Sequence, residues 1–313
     1  MNKREKPFVS IILPTYNRSH LLERSIKSVL EQSYQNFELI IINDGSNDET
    51  EEKVKEYQKL DRRIKYLKNK KNLGLSVARN IGIQLSKGEF IAFQDDDDFW
   101  LKRKLEKQVR VLNSLPESFA LVFTAWYRWE NKKKIYFPQK KYDLKNIQKL
   151  LLSQGYSMPS VSMLIKKSAL FETGFFDEKL KMSEDLELAI RLSDRYFFQF
   201  IEEPLFICFS TPRSLSSQRG KIYLETKKYI FEKHFEKIKK DKKILARWLN
   251  ELGHLFILEN ENKIAQNYFF RAFKEDPLNL LFFVQLIISF LGKNFYLKVS
   301  SLKNKIFEIF NKK

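Results

Sequence analysis

The stretch "EFIAFQDDDDFW", residues 89–100, places four aspartates directly behind an apolar run. Asp95, Asp96, Asp97 and Asp98 repel one another unless water or a cation stands among them. Mg²⁺ and Mn²⁺ take oxygen ligands, typically one or two carboxylates completed by phosphate and water. An acidic turn at a strand end could therefore hold a nucleoside diphosphate through such a cation, which carboxylates alone would repel. Asp44 in "NDGSND" could accept hydrogen bonds from a base or ribose, and Arg79 in "SVARNIG" could meet phosphate. Each has a plainer alternative. The acidic run could be a solvated turn with Asp98 capping the next helix. Asp44 could form an Asx turn with Gly45, and Arg79 a salt bridge on a helix surface.

The elements around these residues decide whether they can meet. "FVSIILP" and "FELIIIN" read as buried strands, with "RIKYLKN" and "EFIAFQ" as third and fourth strands. Helical spacing separates them, as in Leu21, Leu22, Ile26, Val29 and Leu30. Ser46 and Glu49 fit a capping box for the second helix. Continuous apolar strands alternating with helices imply a parallel sheet covered on both faces. Ligands of such sheets sit beyond the carboxyl ends of the strands. "PTYNR", "NDGSND" and "DDDDFW" follow strands one, two and four, so all three should land on one edge. The pattern is mixed from residue 102 to about 216 and helical afterwards, with a break at "TPRSLSSQRG".

The chain has 313 residues, enough for two units, and a net charge of +18. That excess suits an anionic partner. Its lysines are scattered, without the aromatic-interleaved motif of RNA-binding modules, so no nucleic acid polymer is expected. Cys208 alone cannot form an internal disulfide, and His20, His234 and His254 lack metal-ligand spacing. Cys208 reads as an inert buried thiol, and Trp100 and Trp126 as core residues or sugar platforms. The first apolar run is short and ends at Pro14, so it reads as a strand rather than a secretion signal. With no apolar run of the roughly 18–20 residues a spanning helix needs, a cytoplasmic protein is expected.

Six segments in order, "SIILPTYNR", "ELIIINDGSNDET", "NLGLSVARNIGI", "GEFIAFQDDDDFW", "TGFFDEKL" and "SEDLELAIRL", resemble glycosyltransferase family 2 over roughly residues 7–210. The resemblance implies an α/β fold of the GT-A type (nucleotide-diphospho-sugar transferase): a Rossmann-like, mainly parallel sheet flanked by helices. Residues 1–216 would be the catalytic domain and 217–313 an all-helical C-terminal region. It also implies an inverting transfer of sugar from a nucleotide-diphosphate donor, commonly UDP-linked, to an acceptor hydroxyl on a cell-surface glycan or its lipid-linked precursor. By the same resemblance, Pro14, Thr15, Tyr16 and Asn17 line the nucleotide pocket, Asp44 reads the base, and Arg79 contacts the nucleotide. Asp95 and Asp96 face the nucleotide sugar, and Asp97 with Asp95 holds Mg²⁺ or Mn²⁺. Asp185 resembles the catalytic base, with Glu184 beside it; a positioned carboxylate can take the hydroxyl's proton as it attacks. The helix that follows should favour the ionised form of Asp185.

Two departures stand out. Asn43 occupies a position where the family often has Asp. "CFSTPRSLS" lacks the histidine many members carry there, and Arg213 could contact the diphosphate instead. Rival readings are a metal-dependent nucleotidyltransferase, against which stands the lack of an early Gly-rich, Lys/Arg-bearing loop, and a non-catalytic module using the C-terminal helices.

In that C-terminal region Leu252, Gly253, Phe256, Ala265, Phe269, Ala272 and Pro277 match the spacing of one tetratricopeptide-like helix pair. Residues 278–291 are strongly apolar and a basic tail follows. Residues 278–313 read either as an element docking peripherally on the anionic inner face of a membrane or on a partner, or as a buried hairpin of ordinary helices.

Overall fold

The computed structural model describes residues 6–138, 144–153, 158–210 and 220–299. The chain forms two compact units, Met1–Ser214 and Leu215–Lys313. In the first, β1 (Val9–Thr15) and β2 (Phe37–Asn43) are buried along their whole length. Both are continuous apolar runs because both sheet faces are covered. β3 (Ile64–Lys68) lies at the edge, and only Ile64 of it is buried. β4 (Phe90–Phe93) flanks β1 on the other side. The parallel register aligns Thr15 with Asn43, and Ile12 with Phe93. The three polar clusters therefore emerge at one edge, as their sequence positions require.

The sheet continues through β8 (Leu164–Lys166), β6 (Phe119–Glu130), β9 (Phe197–Phe209) and β5 (Phe99–Trp100), while β7 (Lys133–Phe137) pairs with β6. The order β3-β2-β1-β4 is parallel throughout. Beyond it, β8 runs antiparallel to both β4 and β6, and β5 runs antiparallel to β9. Parallel pairing needs a long crossover. β5 follows β4 after the turn Gln94–Asp98 alone, so it turns away and pairs with β9 instead.

Helices α1 (Ser19–Leu30), α2 (Thr50–Leu60), α3 (Leu75–Leu85), α4 (Lys104–Ser114), α5 (Ile147–Leu152), α6 (Lys167–Thr173) and α7 (Glu184–Leu192) complete the unit. α1 buries Leu22, Ile26 and Val29 in the same core as β1 and β2. The expected capping box of Ser46 and Glu49 does not form. Asn43 Oδ1 accepts from Ser46 N–H at 2.8 Å, which holds that residue in the preceding turn. Asp48 serves instead: Oδ1 accepts from Thr50 N–H at 3.2 Å, and Oδ2 from Ser19 N–H at 2.9 Å. One carboxylate thus meets the starts of α1 and α2. Trp100 and Trp126 are buried core residues. This excludes the sugar-platform reading for both.

The second unit is helical: α8 (Lys221–Lys233), α9 (Phe235–Ile238), α10 (Lys242–Leu258), α11 (Asn262–Glu275) and α12 (Leu280–Ser289), with residues 293–299 also helical. Asp241 caps α10 by accepting from Lys243 and Ile244 N–H. Leu252, Ala265, Phe269 and Ala272 are fully buried in this unit. A Cβ on Gly253 would lie 2.8 Å from Phe269 Cε1, so only glycine lets that ring close on α10. Phe256 stacks on Tyr268. No helix among the described residues is long and apolar enough to cross a membrane.

Candidate active site

The acidic run is a tight turn. Asp98 N–H donates to Asp95 O at 3.2 Å, and Gln94 Nε2 donates to Asp98 O at 3.0 Å. From α1, Ser25 Oγ donates to Asp95 O at 2.8 Å, and Arg24 donates to Asp97 O. The four carboxylates are then separated chemically. Asp95 Oδ1 accepts from Arg79 at 2.8 Å. Asp96 accepts from Thr15 Oγ1 at 2.9 Å and from Arg18 at 3.0 Å. Asp97 Oδ2 accepts from the same Arg18 guanidinium at 2.8 Å. Asp98 is buried, and its Oδ1 accepts from Phe209 N–H at 3.2 Å. Burial, with Asp95 and Asp97 adding like charge, raises Asp98 well above the carboxylate range and favours its protonated form. Burial likewise pushes Asp96 up to about 7, against the pull of Arg18. Two arginines, together with burial that raises Asp96 and Asp98 toward their neutral forms, make four adjacent aspartates tolerable.

Arg79 is the hinge of the site. It is buried on α3, donating to Asp95 on one side and to Glu184 Oε1 at 2.5 Å on the other. The same helix holds the loop leading to α7. Asn80 Nδ2 donates to Phe176 O at 2.9 Å, Phe176 N–H returns a bond to Asn80 Oδ1 at 3.0 Å, and Ser76 Oγ donates to Leu180 O at 3.1 Å. On α7, Glu187 accepts from Arg191, whose remaining donors reach Thr173, Gly174 and Phe175 carbonyls. The segment "TGFFDEKL" is thereby fixed from both ends. Arg79→Met should lower stability by about 2 kcal/mol in chemical denaturation. This is below the usual cost of breaking a buried pair, because Asp95 keeps 34% of its side chain in solvent.

Asp185 is the second residue of α7, and its Oδ1 accepts from Leu186 N–H at 2.7 Å. The expected gain from the helix N-terminus is outweighed. Loss of water around the carboxyl and the neighbouring Glu184 charge push Asp185 up to about 7, although Arg79 pulls the other way. A carboxylate titrating there is well matched to proton abstraction near neutral pH.

Asp44 stands at the same edge, but most of its acceptor capacity is spent within the fold. Oδ1 accepts from Asn69 Nδ2 at 2.8 Å, both oxygens from Leu73 N–H at 3.0 Å, and Oδ2 from Gly74 N–H at 2.8 Å. Gly45, at φ 79°, lets the loop close in; a Cβ there would lie 2.6 Å from Lys71 C. Asp44 therefore builds the 69–74 loop that enters α3. Asp44→Ala leaves these amides unpaired and should cost about 2 kcal/mol in denaturant unfolding, in addition to any loss of nucleotide affinity.

Of the other expected residues, Thr15 is buried against Asp96, Tyr16 is exposed at the end of β1, and Asn17 Oδ1 accepts from Asn47 N–H at 2.8 Å. Pro14 is buried within β1, next to Thr15. Asn43 Nδ2 donates to Tyr66 Oη at 2.9 Å, so its role lies inside the fold. Cys208 is a free, partly exposed thiol that burial pushes up, far from thiolate character. Arg213 lies outside the described residues. Sequence reasoning missed Arg18, Arg24, Ser76, Asn80 and the Glu187–Arg191 pair. Arg18 stands in the same "PTYNR" as Thr15, but nothing local says which carboxylate it meets. No group of three His, Cys, Asp or Glu among the described residues forms a metal cage. The carboxylates of Asp95 and Asp97 are of a type that suits a cation whose shell diphosphate and water would complete.

The family model "Glycosyl transferase family 2" matches residues 10–175. A relative in Methanocaldococcus jannaschii, "Uncharacterized glycosyltransferase MJ1057", is 34% identical over 207 residues, 65% of this chain and 71% of its own length. "UDP-Glc:alpha-D-GlcNAc-diphosphoundecaprenol beta-1,3-glucosyltransferase WfgD" of Escherichia coli is 46% identical over 104 residues, 33% of this chain and 40% of its own. Among solved structures, S. aureus TarS 1-349 in complex with UDP-GlcNAc shares the fold with a TM-score of 0.71 at 19% identity, over 95% of this chain and 92% of that one.

Proposed function

Because the chain belongs to glycosyltransferase family 2 and has the GT-A fold, we propose that it transfers a hexosyl or hexosaminyl group, with inversion, from a UDP-linked donor to a hydroxyl of a lipid-linked or cell-surface glycan. One observation carries this reading: the buried Arg79 bridges Asp95 of the acidic turn to Glu184, the neighbour of Asp185. A carboxylate suited to a metal–diphosphate and one suited to a hydroxyl proton thus belong to one charge network. The names of relatives support the class, since WfgD is named for a UDP-glucose donor and a diphosphoundecaprenol-linked acceptor. The solved neighbour was captured with UDP-GlcNAc.

Asp95 and Asp97 would hold Mg²⁺ or Mn²⁺, which neutralises charge on the leaving diphosphate when bound. Asp185 takes the proton of the attacking hydroxyl. Glu184, engaged by Arg79, keeps α7 and its loop in register with the acidic turn. Thr15 and Arg18 hold Asp96, so the turn keeps its shape while the donor enters and leaves.

Incubation with UDP-glucose or UDP-GlcNAc should release UDP only when Mg²⁺ or Mn²⁺ is present. The nucleotide sugar with cation should also stabilise the chain, by about 2.7 kcal/mol at one hundred times its dissociation constant. Release of UMP, or of pyrophosphate from a sugar phosphate and UTP, would establish nucleotidyl transfer and overturn the reading.

A further inference from the structure

We propose that the outward face of α12 is a docking surface for an anionic lipid bilayer. This goes beyond sugar transfer and does not rest on it. α12 packs inward through Phe282 and Ile288, with Ile288 in a cluster containing Ile257, Phe269 and Tyr296. So the buried-hairpin expectation holds for one side of the helix. On the other side Leu280 is 77% exposed, Phe283 44%, Ile287 49% and Phe290 64%, with Val284 and Leu291 beside them. The spacing 280, 283, 284, 287, 291 is a single helical stripe. An uninterrupted apolar stripe of this kind is rare on a soluble surface without a partner.

Three features select the occupant. The side chains of the stripe are hydrocarbon and carry no hydrogen-bonding group; behind them Gln285 Nε2 donates to Tyr296 Oη, and Ser289 Oγ donates to Leu286 O. Protein interfaces of useful size normally carry such bonds, whereas hydrocarbon requires none. No charged residue lies between Leu278 and Gly292, and the acidic pair Glu275 and Asp276 precedes that run. From Lys293 to Lys313 the sequence has six lysines against one acid, Glu308. An apolar stripe followed in sequence by a lysine-rich segment suits the interface of an anionic membrane. The helix is too short to span, so the chain would lie on the surface.

The test is co-sedimentation of the full chain with phosphatidylcholine vesicles containing about one third phosphatidylglycerol, which should bind at least about tenfold better than pure phosphatidylcholine. Salt should weaken this binding. Phe283→Asp with Ile287→Asp should weaken it at least about tenfold, and Leu280→Asp, at the most exposed of these sites, should act in the same direction. Hydrogen exchange over residues 280–291 should slow when vesicles are added. Failure to bind anionic vesicles, or unchanged binding by the substituted chains, overturns the proposal. So does a dimer that the same substitutions dissociate, because a second copy is then the occupant. UDP release in vesicle-free buffer should be equal for all these chains. Failure of the unsubstituted chain to bind anionic vesicles while it still releases UDP therefore overturns the docking surface and leaves the catalytic reading standing.

Discussion

Asp185→Asn is expected to bind donor and cation as the unsubstituted chain does, yet to lose at least about 10²-fold in turnover, the usual contribution of a general base. The substitution keeps the shape at the start of α7 and the acceptor for Leu186 N–H, but removes the basicity. In the unsubstituted chain, burial and Glu184 push Asp185 up to about 7. The base works only when deprotonated, so turnover should rise with pH through about 7 and level off above it. The same shift has a consequence for stability. A carboxyl whose folded pKa is raised favours the folded state at low pH. That contribution fades as pH rises from the ordinary carboxylate range to about 7. Asp185→Asn should therefore flatten both the rate profile and part of the decline in stability across that window. Glu184→Gln provides the contrast. It strips Arg79 of the more buried of its two partners, so it should lower stability as well as rate. Good transfer by Asp185→Asn alongside failure of Glu184→Gln would move the base to Glu184. Normal transfer by both would remove the general-base mechanism.

Asp97→Ala is expected to reduce transfer by about 10³-fold or more, the scale of several kcal/mol of charge stabilisation, and to abolish the dependence of nucleotide binding on divalent cation. The fold should survive. Arg18 keeps Asp96 as a partner at 3.0 Å, and Asp97's backbone carbonyl still accepts from Arg24. Isothermal titration of UDP with and without Mn²⁺ separates the two effects. Cation-dependent binding that persists in the substituted chain would show that Asp97 shapes the turn without serving the metal.

Much of the fold was legible because its signals are local. The wholly buried β1 and β2 show as unbroken apolar runs, and the alternation with α1, α2 and α3 implies parallel strands with their polar ends at one edge. The half beyond β4, where antiparallel pairs adjoin the parallel β6–β9 pair, was not legible in this way. β8 has three residues and β5 two, too few for any periodicity, and their partners lie far away in sequence. The capping box at Ser46 failed for a related reason: a non-local bond fixed Asn17 N–H to Ser46 Oγ.

The sequence by itself determined the family, the GT-A class and which carboxylates stand at the strand ends, because residue type and spacing are written along the chain. Only the tertiary structure decided what each carboxylate does there. Asp44 is occupied by Asn69, Leu73 and Gly74; Asp96 belongs to Thr15 and Arg18; Asp98 is buried against Phe209 N–H; Asp95 shares Arg79 with Glu184, a residue 105 positions beyond that arginine. The physical reason is that the charge state and hydrogen-bond capacity of a carboxylate depend on its desolvation and on donors that arrive from other elements. None of these is a property of the stretch of chain in which the carboxylate stands.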